Sequence, residues 1–246
     1  MNFNDDIMAR ALQAKDGKAN GLQVRALDDD NSAVEVMLYD AIGYWDVTSA
    51  AFRAELNGIE ADVIHLRLDC PGGEVFMARA MKTALEQHSA RVVVHIDGVA
   101  ASAASYLMMG GDEIEIAQGA QIMIHNAWGR SVGDYREHHK SAERLLEIDN
   151  GMRRDYAAKT GQSEDDFIEL MNEETWFTAD EALDMGLVDR VYDRQGGPND
   201  RFDLSIYKNA PKTMPPADPP KKGDKAAVAH RAARMRKLEF FERIAP

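Results

Sequence analysis

The chain predicts an α/β fold, a largely parallel sheet covered by helices, with one helix much longer than the others. Three observations carry this. Apolar strand-like runs recur, each ending in a turn and followed by residues at helical spacing, the order that a parallel sheet with crossover helices requires. A hydrophobic share of 45% over 246 residues is enough for one substantial core. Between about 135 and 159 the apolar residues keep a helical period for longer than anywhere else in the chain.

Taken in order, residues 1–33 are polar with little periodicity and are expected to form a flexible N-terminal arm. Val34-Glu35-Val36-Met37-Leu38-Tyr39 alternates as a strand should. Asp46-Val47-Thr48-Ser49 then offers caps for a helix running through Phe52 and Leu56. A second strand, Val63 to Leu68, ends at the turn Pro71-Gly72-Gly73, and a helix with Phe76, Ala80, Ala84 and Leu85 on one side follows. The strand Arg91 to Asp97 leads to Ser102, which opens a helix over Ala103 to Met109, where free amides favour negative charge. Two short strands, Glu113–Ile116 and Gln121–His125, precede the long helix from Tyr135 to Lys159, with Leu145, Ile148, Met152 and Tyr156 on one stripe. Ser163-Glu164-Asp165-Asp166 and Thr178-Ala179-Asp180-Glu181 fit the capping box, and Gly186 fits a helix C-cap.

Five of the eight prolines fall between Pro211 and Pro220, an extended linker. Beyond it Val228, Ala232, Met235, Leu238 and Phe241 recur at helical spacing among Lys and Arg, a short basic amphipathic helix. The expected organisation is therefore an arm over 1–33, one domain over 34–208, and a linker with basic tail over 209–246.

Charge separates the same regions. From Pro211 onward nine Lys and Arg stand against four Asp and Glu, so a whole-chain charge of −13 leaves −18 for residues 1–210. A body this acidic argues against nucleic acid as a partner, and the asymmetry marks the tail as a separate unit. No apolar run is long enough to span a bilayer, so no membrane role is expected. The N-terminus lacks the basic and apolar regions of a secretory signal, and Cys70 is the single cysteine, so a reducing, cytoplasmic location is expected. Cys70 reads as a small buried hydrophobe, and His65 and His95 as residues on strands. His138 and His139 are adjacent on a helix and point apart, no Cys–His cluster has zinc spacing, and no Gly-Xaa4-Gly-Lys-Ser/Thr loop occurs. Neither a cofactor nor a metal is expected, nor an ATPase within this chain.

The chemistry gathers in three segments. Gly98-Val99-Ala100-Ala101-Ser102-Ala103-Ala104 places a lone hydroxyl among small residues directly after an apolar strand. These small residues are expected to let a substrate backbone approach the hydroxyl. Gln121-Ile122-Met123-Ile124-His125 delivers an imidazole at a strand end, and histidine is the base best matched to activating serine at neutral pH. The glycine amides of Pro71-Gly72-Gly73 suit a developing oxyanion. Together these read as a serine hydrolase.

Gly-Xaa-Ala-Ala-Ser-Xaa-Ala, then a strand ending in Ile-His, with Pro-Gly-Gly upstream, resembles the proteolytic subunit of the Clp protease (ClpP), from about Val34 to Asp193. The resemblance implies a ClpP/crotonase-like fold of repeated ββα units, with the long helix as a handle packing ring against ring. It implies a serine endopeptidase acting on protein or peptide substrates as a homo-oligomeric ring, a heptamer or double heptamer. It carries Ser102 over as the nucleophile, His125 as the base, and the Gly73 and Ala103 amides as the oxyanion hole. Glu174, in Glu174-Thr175-Trp176-Phe177-Thr178-Ala179, stands where the family usually has Asp, one methylene shorter; Glu173 and Asn172 are the alternatives for orienting His125.

Other details depart from the common family pattern. Leu68-Asp69-Cys70 precedes Pro-Gly-Gly where Asn-Ser is usual, and Asn126-Ala127-Trp128 follows Ile-His where Gln-Pro is usual. These, with Glu-Thr-Trp-Phe-Thr-Ala and the C-terminal extension, are similar to the phage and prophage branch that cuts scaffold and capsid proteins during prohead maturation. The alternatives are a cellular peptidase fed by an ATPase partner, a non-catalytic ring or scaffold subunit of the same fold, and an enoyl-CoA hydratase type, which needs a CoA site and an acidic pair. A signal-peptide-peptidase type with a Ser–Lys dyad is disfavoured by His125.

Overall fold

The computed structural model describes residues 21–28, 32–192, 204 and 207–211. The first 20 residues and the expected basic helix of the tail lie outside the described residues. In chain order the elements are β1 (Leu22–Ala26), β2 (Ala33–Leu38), α1 (Ser49–Leu56), β3 (Val63–Cys70), α2 (Val75–Glu86), β4 (Arg91–Ala101) and α3 (Ala103–Leu107). A 3-10 turn (Met108–Gly110), β5 (Glu113–Ala117), β6 (Gln121–Ile124), α4 (Tyr135–Thr160), α5 (Glu164–Asn172), β7 (Thr175–Thr178), α6 (Ala179–Met185) and β8 (Arg190–Tyr192) follow.

The strands form one sheet in the order β1-β2-β3-β4-β5-β8, with β6 beside the end of β4 and β7 beside β6. All pairs are parallel except β1–β2 and β6–β7. Alternation along the strands sends Ile64, Leu66, Leu68, Val92, Val94, Ile96, Ile114 and Ile116 to one face. There they share a core with Phe52 and Leu56 of α1 and Met77, Met81 and Leu85 of α2. Burying each such side chain contributes about 1.5–3 kcal/mol.

Apart from the buried Val93, the intervening positions carry a polar network of His65, Arg67, His95, Asp97 and Glu115. Asp97, which is buried, accepts from the Tyr192 hydroxyl and Arg67 Nε (both 2.7 Å) and from the Tyr39 hydroxyl. His65 Nδ1 lies 2.9 Å from His95 Nε2, and His95 Nδ1 lies 3.1 Å from Glu115. Burial lowers the His95 pKa below the ordinary histidine value. Cys70 is fully buried, and that burial pushes its thiol far above the usual range, so it is no nucleophile at neutral pH.

One change of partner within β4 builds the site. Its first half pairs with β5 through Val93–Ile96, and its second half pairs with β6 through Val99–Ala101. At the changeover the β3–β4 register shifts between Leu68 and Cys70, and the Asp69 carboxylate accepts the Val99 amide at 3.2 Å. A Cβ on Gly98 would sit 2.5 Å from Asp69 Oδ1, so Gly98 serves this close approach.

Several elements differ from the sequence expectation. Leu22–Ala26, within the expected arm, is a strand; it is an edge strand with four of its five residues exposed, so it carried no apolar pattern. β7 and β8 are only four and three residues long, too short to show a period. On α2 the inward face is Met77, Ala78, Met81, Ala84 and Leu85; Phe76 and Ala80 point out, and Phe76 lies against Arg79. The α4 stripe also behaves differently from a free handle. Ile148, Met152 and Tyr156 are buried within the same protomer, whereas Trp128, Val132, Tyr135 and Leu146 are exposed. No helix among the described residues is long and apolar enough to cross a membrane.

Candidate active site

Strand ends bring the three motifs together. In the β4–β6 register Ala101 pairs with Met123, so Ser102 and His125 leave adjacent parallel strands at the same end. In the antiparallel β6–β7 register Ile124 pairs with Thr175, which puts Glu174 level with His125. Ser102 Oγ lies 2.6 Å from His125 Nε2. Crevices at the carboxyl ends of parallel strands are the usual place for such a site.

Ser102 has φ +54° and ψ −123°, a conformation that side-chain-bearing residues rarely adopt and that costs about 1–3 kcal/mol. Three bonds hold it there. Its amide donates to the Met123 carbonyl (2.9 Å), and its carbonyl accepts from the Ser105 amide (3.0 Å) and hydroxyl (2.6 Å). The Ser105 hydroxyl is in turn 2.8 Å from the buried hydroxyl of Tyr156 on α4. The bend presents the Ser102 hydroxyl at the cleft while its neighbours turn inward: Ala100, Ala101, Ala103 and Ala104 are all buried. Small side chains suit this close packing, and Ala103 lines the cleft beside Ser102.

The Pro71-Gly72-Gly73 loop also packs closely against the serine. Gly72 has φ +98°, and a Cβ there would lie 2.6 Å from the Ala101 carbonyl oxygen and 2.7 Å from Ser102 Cβ. Gly73, with φ +139°, is bridged to Ile42, where a Cβ would meet the Ile42 carbonyl oxygen at 1.9 Å. The bridge is made by Gly72 O and Glu74 N (2.8 and 2.9 Å to Ile42), so the Gly73 amide is turned away from it. The amide of Ala103, first in α3, lies in the helical position whose N–H has no intrahelical acceptor. Both residues line one cleft of about 700 Å³ with Ser102, His125 and Glu174.

Burial lowers the His125 pKa below the ordinary histidine value, and the Glu174 charge opposes this only in part. The imidazole is thus neutral at pH 7, as a base must be. The Glu174 carboxylate itself is engaged elsewhere. It accepts the amides of Lys208 (3.1 Å) and Asn209 (2.6 Å) and sits 3.4 Å from Trp176 Nε1. Its influence on His125 is therefore through space. Of the alternatives, Asn172 accepts from Asn126 Nδ2 (2.7 Å), and Glu173 is the exposed C-cap of α5.

The model of the Clp protease family, described as Clp protease, matches residues 46–195. The chain belongs to the Clp protease family. This Clp protease chain is accordingly a peptidase of Clp type with the mixed α/β architecture of that family. The match covers every candidate site residue from Gly73 to Glu174.

Sequence reasoning missed three residues of this Clp protease site. Ser105 and Tyr156 support Ser102 from beneath, and Tyr156 was read only as a member of an apolar stripe. Tyr207 lies beyond the family match, in a stretch with no periodic signal. Its ring packs edge-on to His125, with centroids 5.5 Å apart, and its hydroxyl donates to the Pro71 carbonyl. The turn it begins, through Ala210, crosses the domain end expected at residue 208.

Proposed function

We propose that this Clp-type peptidase is a serine endopeptidase in which Ser102 is the nucleophile, His125 the base, Glu174 the supporting carboxylate, and the Gly73 and Ala103 amides the oxyanion hole. The observation that carries the reading is the 2.6 Å approach of Ser102 Oγ to a neutral, half-buried imidazole, with the serine held at a positive φ.

As Oγ bonds to the peptide carbonyl carbon, its proton passes to His125 Nε2 and the carbonyl oxygen takes the charge. His125 returns that proton to the nitrogen as the C–N bond breaks, and the amine leaves. Water then repeats the sequence on the acyl-serine, with His125 again taking and returning one proton. The Glu174 charge opposite the ring stabilises the imidazolium in each half.

The test of reaction class is hydrolysis of casein or a fluorogenic peptide together with inactivation by a fluorophosphonate. Normal assembly with neither activity nor inactivation would favour a non-catalytic scaffold subunit. Glu174→Gln is expected to lower kcat by about ten- to a hundredfold. Because the carboxylate raises the His125 pKa, its loss lowers that pKa further, so the acid limb of kcat/KM moves to lower pH. A limb that moves up or stays in place would contradict this role.

The biological setting we propose is cleavage of scaffold or capsid proteins in a phage prohead, within the host cytoplasm. The Glu174-Thr175-Trp176-Phe177-Thr178-Ala179 segment and the basic extension support this branch of the family. We also propose a homo-oligomeric ring. Exposed Trp128 (74%), Val132 (94%) and Tyr135 (78%) lie in the segment that leads into α4, about 39 Å long, leaving apolar side chains uncovered on one protomer. Mass photometry is expected to show a discrete species several times the 27.3 kDa chain mass. Monomer alone at micromolar concentration, with activity intact, would refute the ring.

A further inference from the structure

We infer that Tyr207 is a positioning residue of this site, and that the turn it begins holds the glycine loop, the base and the acid in one geometry. The inference rests on the reading that Ser102 and His125 carry the chemistry.

Three consecutive residues touch all three motifs. The Tyr207 hydroxyl donates to Pro71 O, the carbonyl that leads into Gly72-Gly73. The Tyr207 ring meets His125 edge-on at an interplanar angle of 88° and also meets Trp176, with centroids 6.0 Å apart. The next two backbone amides, of Lys208 and Asn209, both donate to the Glu174 carboxylate. The Asn209 side chain adds a bond to the Glu173 carbonyl. Leu204 anchors the approach to the turn, buried against Val99, Ala101 and Met123 beneath the strand ends.

The loop needs such a tie. Two successive residues at positive φ have wide conformational freedom, and an oxyanion donor works only when preorganised. Ile42 fixes the loop from one side through Gly72 O and Glu74 N, and Tyr207 fixes it from the other through Pro71 O. Tyr207 is itself buried, and that burial pushes its pKa up to about 12, so it remains a donor throughout the working range. Its ring also covers His125. The charged groups facing that imidazole are Glu174, from the start of β7, with Glu74 and Lys208 on the cleft lining.

The test uses the full-length chain, as wild type, Ser102→Ala, Tyr207→Phe and Tyr207→Ala, in peptide hydrolysis over pH 5–9 and in fluorophosphonate labelling. Tyr207→Phe keeps the ring and drops one hydroxyl; kcat is expected to fall about tenfold with KM within about twofold, because a loosened donor loses part of the effect of a deleted one. Tyr207→Ala is expected to fall further and to move the acid limb up towards the ordinary histidine value, since the ring that buries His125 is gone. A merely structural residue would lower the melting temperature and leave that limb in place. The inference is overturned if Tyr207→Phe matches wild-type kcat, or if either variant is faster than wild type, which would make the turn a restraint on Glu174. A wild type that the probe does not label would overturn the underlying reading; a labelled wild type with indifferent Tyr207 variants overturns this inference alone. Should Tyr207→Ala fail to fold, the near-isosteric Tyr207→Phe decides.

Discussion

Ser102→Ala is expected to abolish peptide hydrolysis while leaving the fold intact. The flanking alanines are buried in close packing, so a methyl group at 102 fits the same space, and Ala tolerates this φ no worse than Ser. What disappears is the only atom 2.6 Å from His125 Nε2 among the described residues. His125→Ala is expected to be equally inactive, and the double variant little worse than either, because nucleophile and base act as a unit. Initial rates on a fluorogenic peptide, with circular dichroism as a folding control, check this. Residual activity in Ser102→Ala comparable to wild type would refute the mechanism.

Gly72→Ala is expected to reduce kcat by about a hundredfold or more. The added Cβ would meet the Ala101 carbonyl oxygen at 2.6 Å and Ser102 Cβ at 2.7 Å, and neither is the end of a flexible side chain. The φ of +98° adds backbone strain of about 1–3 kcal/mol. The loop must therefore move away from the serine and take the Gly73 amide with it. Gly119→Ala is the matched control: its φ is +87°, but a Cβ there meets nothing within 4 Å. It bears the strain without touching the site, and its kcat should equal that of wild type. Equal kcat values for Gly72→Ala and Gly119→Ala would show that the glycine loop plays no part in the chemistry.

The sequence was most legible where one physical rule dominates. Alternating or continuous apolar runs marked β2 to β6, and side-chain caps at Thr48, Ser163 and Thr178 marked the starts of α1, α5 and α6. Ser102 and His125 could be found because each follows a recognisable strand. The strands that were missed are an exposed edge and two very short segments, which pair by register and display no pattern of their own. The orientation of α2 was misjudged because Phe76 is apolar yet outward, resting on Arg79. The site's supports were illegible for a different reason. Tyr156, Tyr207 and the amides of Lys208 and Asn209 act through contacts that span 34 to 136 residues of chain, and no local spacing encodes those. Glu174 shows the limit most sharply: its place beside His125 follows from the β6–β7 register, but its hydrogen bonds go to a turn from the far end of the domain.

The most direct measurement is where a fluorophosphonate adduct forms. Trypsin releases residues 92–130 as one peptide, which contains both Ser102 and Ser105. Ser105 is fully buried and bonded to Tyr156, so it serves as an internal comparison. The account predicts stoichiometric labelling on Ser102, none on Ser105, and loss of labelling in His125→Ala. An adduct on any other residue, or labelling of Ser102 that persists unchanged without His125, would contradict it.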